Sequence, residues 1–166
     1  MNKLILCEGA TDAILLSYYL ERTAGWKFVR QPPQGVSIRA TEQNEEVTWY
    51  KKNNDYLLIC AVGGKDNFGK FFDDKIQKPL VMSDAFEKIA IVADRDNREV
   101  SEIETEASAF LKVPCGTIKN NQWNDCSYTN EFRMEKTFSA LLVVIPQEQQ
   151  GALETAMLAA IAEDPY

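Results

Sequence analysis

Three short apolar runs constrain this chain most: Lys3–Cys7 (KLILC), Tyr56–Val62 (YLLICAV) and Ile89–Ala93 (IAIVA). Each is too short for a helix with one buried face. Each ends in a turn signal, respectively Glu8-Gly9, Gly63-Gly64 and Asp94-Arg95-Asp96. Short apolar runs bounded in this way read as buried strands. Helical patterns separate them. Thr11 or Asp12 opens a largely apolar helix that Gly25 ends. A second helical stretch runs from about Asn67 to Ile76. Glu99–Leu111 is amphipathic, with Val100, Ile103, Ala107, Phe110 and Leu111 on one side. Trp26–Val29 reads as a further strand. Residues 31–55 are loop-rich, with a short strand around Val47–Tyr50. Cys126–Met134 and Phe138–Ile145 read as two strands joined by a tight turn near Glu135–Thr137, and Gly151–Ala162 as a C-terminal helix. Strand–helix alternation of this kind predicts an α/β fold with a central, mostly parallel sheet. The length, 166 residues without an internal repeat or linker-like tract, predicts one domain over 1–166.

Composition narrows the chemistry. Histidine is absent, which removes Ser-His-Asp and Cys-His mechanisms and histidine-ligated zinc. Acids, bases and metal ligands must then come from Asp, Glu, Lys, Tyr, Cys or the backbone. The net charge of -7 is opposite in sign to a surface that binds nucleic acid by broad counterion release, so any phosphate contact is local or metal-mediated. The four cysteines, Cys7, Cys60, Cys115 and Cys126, form no C-x-x-C pair, and they fit a reducing, cytoplasmic compartment. The apolar run at the N-terminus is too short for a signal peptide or a membrane span, so no membrane association is expected.

Two of the strand ends carry acids. Glu8 follows the first strand, with Asp12 four residues on across the turn into the helix. Asp94 and Asp96 follow the third, two apart, and in extended backbone both would leave the same face. Open parallel sheets place their sites beyond the carboxyl ends of their strands. Carboxylates gathered there raise one another's pKa, a conflict that a hard, oxygen-liking cation such as Mg²⁺ resolves. Glu8, Asp12, Asp94 and Asp96 are therefore candidate metal ligands. Asp12 has a second reading, as a helix cap.

The segments Glu8-Gly9-Ala10-Thr11-Asp12 and Asp94-Arg95-Asp96 resemble the signature of the Toprim superfamily, an E-G-x-x-D after the first strand and a D-x-D after a later one. The stand-alone and OLD-family nuclease members look nearest. That resemblance implies a Rossmann-like Toprim fold and an Mg²⁺- or Mn²⁺-dependent cleavage of phosphodiesters in nucleic acid. It implies an acid/base role for Glu8. Gly151-Ala152-Leu153-Glu154 resembles a late Toprim segment, which makes Glu154 a second-metal ligand by resemblance. Val62-Gly63-Gly64-Lys65 resembles the family's Gly-rich turn, with Lys65 on the scissile phosphate. With no room for a topoisomerase tyrosine domain or primase template domains, a metal-dependent nuclease is one expectation. A non-catalytic RecR-type module that binds a protein partner or nucleic acid is the other.

Two further patterns are weaker. Gly64–Phe71 nearly spells a P-loop but ends in Phe71, which lacks the hydroxyl that binds Mg²⁺. Trp49-Tyr50-Lys51-Lys52 and Lys119–Asn124 mix aromatic with polar or basic groups, as single-strand binders do, and as anchored surface loops do more often.

Overall fold

A computed structural model describes residues 2–111 and 117–162; Cys115 lies outside them. Seven strands form one sheet in the order β2-β3-β4-β1-β5-β7-β6. They are β1 (Asn2–Cys7), β2 (Lys27–Val29), β3 (Glu46–Lys52), β4 (Asp55–Ala61), β5 (Lys88–Asp94), β6 (Trp123–Thr129) and β7 (Glu135–Ile145). The pairs β1–β4, β1–β5 and β5–β7 are parallel. The pairs β2–β3, β3–β4 and β6–β7 are antiparallel. The sheet is therefore mixed, and the expectation of a mostly parallel, Rossmann-like sheet is corrected. The cause is local. Lys52 pairs with Asp55, so Asn53-Asn54 is a two-residue hairpin loop, and Asn53 takes the positive φ of 54° that such a tight return demands.

The apolar runs fill the middle of the sheet. Leu4, Leu6, Leu58, Cys60, Ile89, Ile91, Ala140, Leu142 and Val144 are buried on one face, and Cys7, Leu57, Ile59, Ala61 and Val92 on the other. Alternation along each strand divides them in this way. Helix α1 (Ala10–Ala24) covers the second face. It ends at Gly25 in the left-handed conformation, φ 72°, whose N–H reaches back to the Leu20 carbonyl. The first face is covered by a helical run and by α4 (Val100–Leu111). That run comprises α2 (Phe68–Phe71), a π-helical turn (Phe72–Ile76) and α3 (Gln77–Ser83). Gly69 permits the close approach, since a Cβ there would lie 3.2 Å from Phe110 Cβ. Helix α5 (Leu153–Ala162) follows β7.

The turn expected near Glu135–Thr137 falls earlier. The Asn130 side chain, buried, accepts from the N–H groups of Phe132 and Met134. Glu131 N–H is tied to the Val81 carbonyl. Residues 130–134 are thus the loop, and Glu135 already belongs to β7. Cys7 and Cys60 are free and buried, whereas Cys126 is disulfide-bonded, which runs against a uniformly reduced set of thiols. Among the described residues no helix is long and apolar enough to cross a membrane.

Candidate metal centre

Because β4, β1, β5 and β7 run parallel to one another, their carboxyl ends meet along one edge of the sheet. A crevice of about 510 Å³ opens there, lined by Glu8, Asp12, Glu46, Gly64, Asp94 and Glu154 among others. Carboxylate oxygens of Asp12, Asp94 and Glu154 lie within 4.8 Å of one another. Three separate elements deliver them: the first turn of α1, the end of β5 and the start of α5.

Backbone N–H groups fix Asp12 and Asp94, and Glu8 beside them, whereas Glu154 is exposed. Asp12 Oδ2 accepts from Gly9 N–H at 2.8 Å, so Asp12 closes the N-terminus of α1 from its third helical residue while remaining in the carboxylate group. The capping and the ligand readings of Asp12 thus describe one side chain in one position. Glu8 Oε1 accepts from Asp94 N–H at 3.1 Å. Asp94 Oδ1 accepts from Leu153 N–H at 2.9 Å, which pins the start of α5 to the end of β5. Gly151 and Asp96 exchange both backbone hydrogen bonds, at 2.6 and 2.8 Å.

The expected acidic set is only partly brought together. Asp96 stands outside the cluster. Its φ of 52° breaks the extended geometry that would have aligned it with Asp94, and its carboxylate pairs with Lys65 Nζ at 3.1 Å. Lys65 is accordingly committed to Asp96. Glu8 lines the crevice beside the three-carboxylate group and touches Asp94 through the backbone. Glu46, at the start of β3, lines the same crevice and was not singled out from the sequence. Its approach depends on the β3–β4 hairpin, for which Asn53-Asn54 was the available signal.

The electrostatics are those of crowded acids. Burial pushes the Glu8 carboxyl up to about 7, with the Asp94 charge adding to it and the Asp94 N–H opposing. Burial also pushes Asp94 up to about 6, and the charges of Asp12, Glu154 and Asp96 raise it further. Asp12 is raised by burial and by Glu154, against the Gly9 N–H. Among the described residues none of Asp12, Asp94 and Glu154 makes an ion pair. All the donors around the group are hard oxygens, the set that suits Mg²⁺, Mn²⁺ or Ca²⁺ and not zinc.

The P-loop pattern is not realised. The N–H groups of Gly63 and Gly64 donate to the Glu8 carbonyl at 3.1 and 2.9 Å and so do not form a phosphate cradle, and Phe71 is buried in the core. Of the aromatic segments, Trp49 and Tyr50 are buried, while Trp123 is half exposed on β6 with Lys88 Nζ 4.9 Å from its ring.

No protein-family model matches the chain, and no curated protein matches it. Solved structures do. A hypothetical protein, PH0156, from Pyrococcus horikoshii OT3 is 21% identical with a TM-score of 0.64, over 97% of this chain and 67% of that one. This likeness shows a shared fold. A lactoylglutathione lyase from Agrobacterium tumefaciens is 14% identical over 84% and 92% of the two chains, with a TM-score of 0.26. The fosfomycin resistance protein FosX from Listeria monocytogenes, solved with Mn(II) and sulfate, is 14% identical over 96% of each, with a TM-score of 0.22. Superpositions that poor carry neither fold nor chemistry across. Nothing in these comparisons points to a Toprim protein. With the mixed sheet, this finding removes the Toprim resemblance, the OLD-like nuclease and DNA-binding expectations built on it, and the RecR-type alternative.

Proposed function

We propose that this chain is a divalent-cation-binding domain whose ion is held by Asp12, Asp94 and Glu154, with Mg²⁺ or Mn²⁺ as the cation. The observation that carries the reading is the convergence of three carboxylates, within 4.8 Å, from three different elements, none of them in an ion pair among the described residues. Like charges so placed repel, and a hard cation turns that repulsion into attraction. A bound divalent ion supplies Lewis acidity to an oxygen ligand beside it. Glu8, raised to about 7, then stands next to the ion as a carboxyl able to hold or release a proton near neutral pH. Asp96 and Lys65 pair with each other outside this group. We assign these residues to one domain of the fold shared with the Pyrococcus protein.

Electron paramagnetic titration with Mn²⁺ tests the reading. One bound ion per chain is expected, lost in Asp94→Asn and weakened about ten-fold or more in Glu154→Gln. Wild-type protein that leaves Mn²⁺ entirely free at millimolar concentration refutes it.

A further inference from the structure

The sheet is covered unevenly on its α1 side. Helix α1 packs over β1 and β4, where Leu16 and Leu20 join the cluster of Cys7, Leu57 and Ile59. Beyond it, alternation turns Ala90 of β5, Leu141 and Val143 of β7 and Trp123 of β6 to the same side. Ala90, Leu141 and Val143 are only half-buried, and Trp123 is 52% exposed. Helix α5 does not close the gap. It begins on this side, tied to Asp94, but Met157, Leu158, Ala159 and Ala160 are all exposed. Strands β5 and β7 are a parallel pair, and parallel strands are normally covered on both faces. This face lacks an apolar cover.

Strand register selects what fits there. Ala90, Leu141 and Trp123 form one row across the three strands, and Lys88, Ser139 and Asp125 form the next. Lys88 and Asp125 are exposed and make no ion pair among the described residues. Asp125 accepts from the Ser139 hydroxyl, and Lys88 Nζ lies 4.9 Å from the Trp123 ring. Two copies packed face to face about a twofold axis along β7 set β5 of each opposite β6 of the other. Lys88 then meets Asp125 of the second copy, the large Trp123 meets the small Ala90, and Leu141 meets Leu141. The face is thus complementary to itself in charge and in size, as a twofold contact requires. We infer that it is the interface of a homodimer. A bilayer fits less well, since α5 carries no Lys or Arg of the kind that seats interfacial helices. The rows span about 15 Å across the strands and about 20 Å along them. With the apolar half of α5 beside them, the contact buries on the order of 1,000 Å² in total, the low end for a specific interface. The inference does not rest on the metal centre and is tested without metal.

Sedimentation velocity of the whole chain, in EDTA and at low salt, tests it. A monomer–dimer equilibrium is expected, with a dissociation constant on the order of 10 µM for so small an interface. Lys88→Glu and Asp125→Lys each set like charges against each other twice per dimer, and each weakens association about ten-fold or more. Both positions are exposed, so neither substitution disturbs the core. Mixed in equal amounts, the two variants regain opposite charges at both contacts, and a heterodimer of near wild-type affinity forms. A wild-type chain still monomeric at about 200 µM, twenty times the expected constant, overturns the inference. So does association that neither substitution weakens, or a mixture that associates no more tightly than its components. A monomer that floats with phosphatidylcholine vesicles also overturns it, because that result puts a bilayer on this face.

Discussion

Asp94→Asn separates the two roles that the structure gives this side chain. The amide oxygen introduced there still accepts from Leu153 N–H, now 2.9 Å from Asp94 Oδ1, so the tether of α5 is kept while the charge is removed. Asp94 is held at about 6 against an ordinary 3.8, and each tenfold change in a protonation equilibrium corresponds to about 1.4 kcal/mol. The side chain is only partly buried, and screening by solvent leaves about 1 kcal/mol of that strain as a penalty on the ionised form. At pH 8 without metal, Asp94→Asn is therefore expected to melt about 2–4 °C above wild type. Addition of Mn²⁺ at ten times its dissociation constant stabilises wild type by about 1.4 kcal/mol, or about 3–6 °C, and leaves the variant unmoved. The order of the two melting curves is thus inverted by the metal. Differential scanning calorimetry with and without Mn²⁺ reads both effects. A metal-free variant less stable than wild type refutes the repulsion argument, and equal Mn²⁺ shifts in the two proteins refute the role of Asp94 as a ligand.

Three further outcomes follow from the same geometry. The folded-state pKa values of Glu8 and Asp94 lie above their ordinary values, so between those values the native state holds more protons than the unfolded one, and metal-free stability falls as pH rises from 5 to 8. Glu45, Asp55, Asp84 and Glu104 are shifted downwards and complete their titration below that window, so a stability that instead rises from pH 5 to 8 in calorimetry counts against the raised pair. Protons compete with the cation for the same oxygens, so Mn²⁺ affinity should drop by about ten-fold for each pH unit below 6, and a calorimetric titration that finds no change between pH 7 and 5 contradicts this. Gly151 has φ 140°, and a Cβ there would lie 2.7 Å from Thr155 Oγ1; Gly151→Ala should shift the start of α5, and Glu154 with it, and weaken Mn²⁺ binding several-fold although no carboxylate is removed, and unchanged affinity would show that Gly151 does not position Glu154.

The parts of the fold legible in the sequence are those set by local pattern. YLLICAV at Tyr56–Val62 and IAIVA at Ile89–Ala93 are apolar at every position because both faces of their strands are covered, one by α1 and the other by α2 to α4. Strand direction was less legible. Apolar continuity is the same in a parallel and an antiparallel neighbour, and only the Asn53-Asn54 loop marks β3 as a hairpin partner of β4. The β6–β7 loop was misplaced because what fixes it is distant: the buried Asn130 side chain and the bond from Glu131 to Val81 across the fold. The site divides in the same way. Glu8, Asp12 and Asp94 are legible because each sits at the end of a strand or the start of the helix that follows. The D-x-D spacing misleads for Asp96, since it assumes extended backbone where the chain has already turned to φ 52°. Glu46 shows no local signal, because it arrives through an antiparallel neighbour.

What holds mutually repelling carboxylates in one crevice before any cation arrives is a relay of backbone donors. Gly9 N–H holds Asp12, Asp94 N–H holds Glu8, and Leu153 N–H holds Asp94. Each donor belongs to an element whose own position is set elsewhere: α1 by its packing on β4 and β1, β5 by its two parallel neighbours, α5 by the Asp96–Gly151 bridge. The side chains therefore cannot relax apart without breaking charge-assisted hydrogen bonds. Burial, with that repulsion added to it, is what raises Glu8 and Asp94. A cation entering the crevice meets Asp12 and Asp94 already oriented, and the ordering entropy that opposes its binding is mainly that of the exposed Glu154. That arrangement sets Asp12, Asp94 and Glu8 apart from an acidic surface patch, whose members are free to swing into water.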